Sequence, residues 1–133
     1  MKKWLGLLGI GFWGLTLLSC SSGQQLVSIA ITPSSETFLS PDPTGKVQLV
    51  AIGTYTHPPA TKDLTSQATW TSNTTQVAVV SSTGVLSPAG TGCGGAIISA
   101  SVKTNDPVGN VIVGTMTVTV DNSADPICPQ PTH

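Results

Sequence analysis

Apolar and polar positions alternate with a period of two along most of the chain, and no helical period appears outside the N-terminal stretch. The pattern centres on Asp63 to Val80: a short strand, a polar turn at Asn73-Thr74-Thr75, and a second strand. Ala68, Trp70 and Ser72 fall on one face of the first strand, Thr69 and Thr71 on the other. Trp70 is the only tryptophan beyond the N-terminal stretch, which makes it the natural centre of a small β core. A ligand-stacking role is the alternative. A domain this short needs a bulky core residue first.

The flanking segments repeat the theme. From Leu26 to Thr32, the alternation puts Val27, Ile29 and Ile31 on one face, and Pro33 ends the strand. Thr37 to Leu39 is expected to pair briefly, and Ser40 to Gly45 reads as a loop. Val47 to Tyr55 follows, with Leu49, Ala51 and Tyr55 inward. Val50 and Ile52 point outward, either covered by a neighbour or part of a contact surface. His57 to Lys62 is predicted to be a loop, because its prolines stop pairing. Val77 to Ser81 and Val85 to Ser87 are short strands about Ser82-Thr83-Gly84, and Pro88 to Gly95 is a glycine-rich turn. The clearest pair comes last. Ile98, Ala100 and Val102 alternate with Ser99, Ser101 and Lys103; Ile112, Met116, Val118 and Val120 alternate with threonines; Asn105 to Asn110 connects the two. Asn73-Thr74-Thr75 also matches a glycosylation acceptor, but the turn reading suffices.

Only 8% of the 133 residues are charged, against about a quarter in ordinary globular chains. Polarity comes from Thr, Ser, Asn and Gln, with 14 Gly and 10 Pro, which favours strands and turns. Five basic residues are too few to neutralise phosphates, so no nucleic-acid partner is expected.

Two of the five, Lys2 and Lys3, open the chain ahead of an apolar run from Trp4 to Leu18. The run is about 15 residues long, the length of a signal-peptide core and short of a membrane span. It ends in Leu17-Leu18-Ser19-Cys20, which resembles the lipobox of bacterial lipoproteins. The resemblance implies a diacylglyceryl group on Cys20, cleavage before it and acylation of the new amine. An ordinary secretory signal and an uncleaved anchor are the alternatives. Acyl chains at about 0.8 kcal/mol per buried CH₂ would hold the mature protein on a membrane. With Ser21 rather than Asp after the cysteine, the resemblance further implies the outer membrane or cell surface. Residues 20–25, Cys20 and the polar Ser21 to Gln25, then read as a tether. The mature chain keeps three lysines (46, 62, 103) against six acids, a charge of about −3.

Strands at turn-marked intervals predict an all-β fold, a Greek-key β-sandwich of about seven strands. The chain from about Val27 to Val120 resembles the bacterial immunoglobulin-like domain of group 2. The carriers are Ser28-Ile29-Ala30-Ile31-Thr32-Pro33, Gly53-Thr54-Tyr55, Asp63-Leu64-Thr65, Thr69-Trp70-Thr71-Ser72, Val77-Ala78, Gly84-Val85-Leu86, Gly90-Thr91-Gly92 and Ile98-Ser99-Ala100. Each is weak alone; their order is specific. The expected organisation is a helical signal peptide (1–19), the lipidated cysteine and tether (20–25), an immunoglobulin-like domain (26–121) and a Pro-rich tail (122–133). Members of that family occur in intimin- and invasin-type adhesins and as spacers in surface proteins, and share no catalytic residue. Two departures stand out: His57-Pro58-Pro59 replaces the usual Asp-Gly turn, and Cys93 and Cys128 are additions.

With Cys20 acylated, Cys93 and Cys128 form an even pair in an exported chain and read first as a disulfide. Each flanks a strand of the last hairpin at the same end. Metal or catalytic use is the alternative, but His57 and His133 lack ligand spacing. Asp42, Asp63 and Asp106 lack the density of a calcium loop, and no nucleophile, base or carboxylate pair clusters. Neither a metal, a cofactor nor catalysis is therefore expected. Two functions remain: a membrane-anchored interaction or adhesion module for a surface protein or glycan, and a structural spacer without a ligand. The loops Tyr55 to Lys62 and Pro41 to Gly45, at one end of the sandwich, are the expected contact sites.

Overall fold

The computed structural model describes residues 23–121. The expected signal peptide, Cys20 and the tail with Cys128 lie outside the described residues. Between Gln25 and Val120 the chain forms ten strand segments: β1 (Gln25–Thr32), β2 (Ser35–Phe38), β3 (Val47–Gln48), β4 (Val50–Thr56), β5 (Ala60–Asp63), β6 (Thr69–Ser72), β7 (Ala78–Val80), β8 (Val85–Pro88), β9 (Gly94–Lys103) and β10 (Val111–Val120). No helix occurs among the described residues.

The strands make a β-sandwich. One layer is β2-β10-β9-β6. The other combines β1-β4-β5 with β3-β8-β7, because β3 and β4 are a single strand interrupted at Leu49. At that break the Leu49 amide donates to the Gly84 carbonyl (2.8 Å). The order β1, β3–β4, β8, β7 over β6, β9, β10 is that of an immunoglobulin sandwich. Between the layers lie Ile29, Ile31, Leu49, Ala51 and Leu86 from one side and Trp70, Ile98, Ala100, Met116 and Val118 from the other. Trp70 is buried, and its indole N–H donates to the Thr65 carbonyl (3.0 Å), so the ring enters the core with its polar atom satisfied. The long hairpin β9–β10 pairs without a slip from Gly94↔Val120 to Lys103↔Val111, as its alternation predicts.

The structure corrects the sequence reading in three places and adds detail in two where it agrees. About seven strands were expected, and the seven of the sandwich are supplemented by β2 and β5. The loop expected at His57–Lys62 is a turn followed by β5. The prolines occupy the turn, so Ala60 to Asp63, which follow them, are left to pair antiparallel with β4. The pairing expected at Thr37–Leu39 is β2, which runs parallel to β10 with Phe38 opposite Val120. Pro88, expected in a turn, closes β8 as a fully buried residue. Val27, expected inward, is 48% exposed, whereas Leu26 is buried. The β1–β4 register shifts between Leu26 and Ser28, so one extra residue on β1 turns Val27 out.

β1 also crosses close to β10. A β-carbon on Gly114, inward on β10, would sit 2.5 Å from the Ile29 carbonyl oxygen. Only glycine lets the two backbones approach this far.

Candidate functional site

Strand direction sorts the loops into two ends. Gln25 lies opposite Thr56, Tyr55 opposite Ala60, Thr69 opposite Ser101 and Lys103 opposite Val111. The N-terminal end therefore gathers Gly23 to Gln25, the His57–Pro59 turn, Leu64 to Ala68 and the Thr104–Asn110 connection. Gly94, Val120 and Phe38 are register neighbours at the C-terminal end. There Pro43 packs on Gly90, and the Thr91 hydroxyl donates to the Gln76 carbonyl (3.3 Å). The two loops expected to form one contact site are thus separated. Tyr55 to Lys62 belongs to the N-terminal end and Pro41 to Gly45 to the other. Sequence position alone carried no information on which end a loop would reach.

At the N-terminal end the last two residues of the expected tether, Gln24 and Gln25, belong to the folded domain. Gln24 donates through Nε2 to the Pro58 carbonyl (3.1 Å) and accepts from Lys62 Nζ (2.7 Å). Lys62 Nζ also stands 4.6 Å from the Tyr55 ring centroid, a cation–π contact. Gln25 begins β1. Beside this cluster the Thr104–Asn110 connection is organised by one carboxylate. Asp106 accepts from the Thr104 hydroxyl (2.8 Å), the Gly109 amide (2.5 Å), the Asn110 amide (3.2 Å) and Asn110 Nδ2 (3.0 Å). Gly109 takes φ 67°, where glycine is the unstrained residue. A polar groove of about 800 Å³ opens between the two features, lined by Gln24, Tyr55, Gln67, Lys103, Asp106 and Asn110 among others.

The three aspartates weighed as metal ligands act as turn caps. Thr44 donates its amide to Asp42 (2.9 Å) and Thr65 its amide to Asp63 (2.9 Å), each two residues on. The Thr44 amide, with its hydroxyl, holds the Asp42 carboxyl below its ordinary value. The Thr65 hydroxyl, then its amide, does the same for Asp63. For Asp106 the leading cause is the Thr104 hydroxyl. In each case the charged form accepts the bonds and is favoured. Among the described residues no group of three His, Cys, Asp or Glu could hold a metal ion. His57 sits exposed in its turn at φ 55°.

Cys93 is half-buried just before β9. Two features went unread in the sequence. Gln24 looked like tether because no periodicity marks a side chain that caps a distant turn. The Asp106 network was legible in part: Asp-Pro-x-Gly-Asn is turn chemistry, but its four donors appear only once β9 and β10 pair.

This arrangement offers hydrogen bonds, one cation–π pair and short, capped loops. The groove's carboxylate is committed to its own loop, and no hydroxyl in the groove is hydrogen-bonded to a histidine. Such a surface can hold a polar ligand or lie against a polar surface. No protein-family model matches the chain, and no curated protein matches it. No helix among the described residues is long and apolar enough to cross a membrane.

Proposed function

We propose that the mature protein is a lipid-anchored lipoprotein of the bacterial envelope whose immunoglobulin-like domain, of the group 2 type, acts as a non-catalytic interaction module. One observation carries the reading. A basic start and an apolar run end in Leu17-Leu18-Ser19-Cys20, and β1 of a complete sandwich begins five positions later, at Gln25. The domain is nearly used up by its strands, so partner contacts fall to its loops. Its surface protein or glycan partner is to be sought by crosslinking and pull-down from intact cells. Replacing Cys20 with Ala should abolish acyl labelling and release the protein from the membrane fraction. Labelling that survives the change would sink the anchor.

A Cys93–Cys128 disulfide belongs to the same proposal. Gly94 is opposite Val120, and Cys128 lies only eight positions beyond Val120. Cys20 starts from the other end, three residues before Gly23, with a reach of about 11 Å. From Lys103 to Gly94, β9 alone spans about 30 Å. Non-reducing peptide mapping of exported protein should find Cys93 joined to Cys128; a Cys20–Cys93 peptide would contradict both assignments.

A further inference from the structure

The anchor and the described fold together determine which end of the domain meets the lipid. Resting on the proposed acylation of Cys20, we infer that the N-terminal end of the sandwich is a membrane-facing surface, seated on phospholipid headgroups. The spacer is shorter than composition suggests. Of the six residues from Cys20 to Gln25, Gln24 is fixed by Pro58 and Lys62, and Gln25 is in β1. Only Ser21, Ser22 and Gly23 separate the lipidated residue from the folded domain, a fully extended reach of about 11 Å. The sandwich is about 30 Å long, judged from the ten residues of β9. A spacer that short keeps the attached end at the headgroups and holds the opposite end a domain length away.

The surface presented downward suits that neighbour. Lys62 and Lys103, two of the mature chain's three lysines, are exposed there, able to meet anionic headgroups. Asp63 and Asp106 lie at the same end and stay ionised while capping their own turns, so the two lysines offer local contacts to headgroup phosphates and not a net positive charge. Val108, at the tip of that loop, is 82% exposed, an apolar side chain placed where an interface would accept it. The third lysine, Lys46, is exposed at the other end, next to Val47 of β3. Partner contacts then belong to the C-terminal end, where Pro41 to Gly45 packs with Gly90 and where Leu39 is 80% exposed. The His57–Pro59 turn faces the lipid instead.

The three lysines are built-in reporters. The full-length acylated protein, reconstituted in vesicles of phosphatidylethanolamine and phosphatidylglycerol, is treated with an amine-reactive reagent, and labelling is read by peptide mass spectrometry. The comparison is a variant with about twenty Gly/Ser residues inserted between Ser22 and Gly23, whose added segment spans about 25 Å on average. Lys62 and Lys103 should react several-fold more slowly in the native protein than in the extended variant, with Lys46 equal in both. Equal reactivity of all three, or protection of Lys46, in protein whose Cys20 carries acyl groups would overturn the orientation and leave the anchor intact. A Cys20 peptide without acyl mass, in protein that stays off the vesicles, would instead overturn the lipoprotein reading on which the orientation rests.

Discussion

Trp70 does two jobs that its alternation alone could not reveal. It fills the core from β6, and its ring edge lies 3.1 Å from where a β-carbon on Gly84, in the turn before β8, would be. The residue therefore clamps one layer onto a turn of the other. Trp70→Ala should lower unfolding free energy by about 3–5 kcal/mol, measured by denaturant titration. A loss under about 1 kcal/mol would mean the ring is not a core anchor. Asp106 is the other informative position. Asp106→Ala removes the acceptor of four bonds, so amide hydrogen exchange at Gly109 and Asn110 should accelerate while the β9–β10 hairpin stays protected. Trp70 was legible because large aromatics in short chains go inward. Gln24 was not, since a capping glutamine and a linker glutamine look alike until the turn it caps is in place.

At the scale of elements, the β9–β10 hairpin was readable almost residue by residue, because the alternation from Ile98 to Lys103 and from Thr115 to Val120 admits one register. β1 was misread at Val27 for the converse reason: a bulge adds a residue without altering composition. β5 was missed because Pro58-Pro59 reads as a stop, although proline removes donors only where it stands. Gly114 was passed over as a gap in the β10 pattern, and its role depends on the crossing of β1. Gly114→Val should destabilise the domain by at least about 1–3 kcal/mol, since the obstacle is the Ile29 backbone and cannot swing aside. Thermal melting checks this. An unchanged midpoint would show that β1 can move off β10 at little cost.

For the molecule as a whole, the fold class was legible and the arrangement of loops at its ends was not, because pairing partners far apart in sequence decide which loops become neighbours. The electrostatics follow from the loops too. Asp42, Asp63 and Asp106 have folded-state pKa values below their ordinary values. Their contribution is fully present above the unfolded carboxylate value of about 3.9 and is lost as pH falls through the folded values. The melting temperature should hold steady from about pH 7 to 5 and fall below about pH 4, with Asp106→Ala flattening the acid limb. Melting scans across pH test both. Closing a loop of about 35 residues, the proposed Cys93–Cys128 bond should contribute up to about 4 kcal/mol, seen as the difference between oxidised and reduced protein in urea.

The parallel pairing of β2 with β10 gives the domain a mechanical character. The chain enters at one end of the sandwich and Val120 leaves it at the other, and β2 and β10 run the same way between them. A pull between an anchored N-terminus and a C-terminal attachment would load the four register pairs from Ser35↔Thr117 to Phe38↔Val120 together, in shear, instead of peeling them apart one at a time. Resistance to such a load is set by the rate of unfolding, not by equilibrium stability. The short β2, four residues that add little to the core, would then act as the fastening that keeps the sandwich closed under tension.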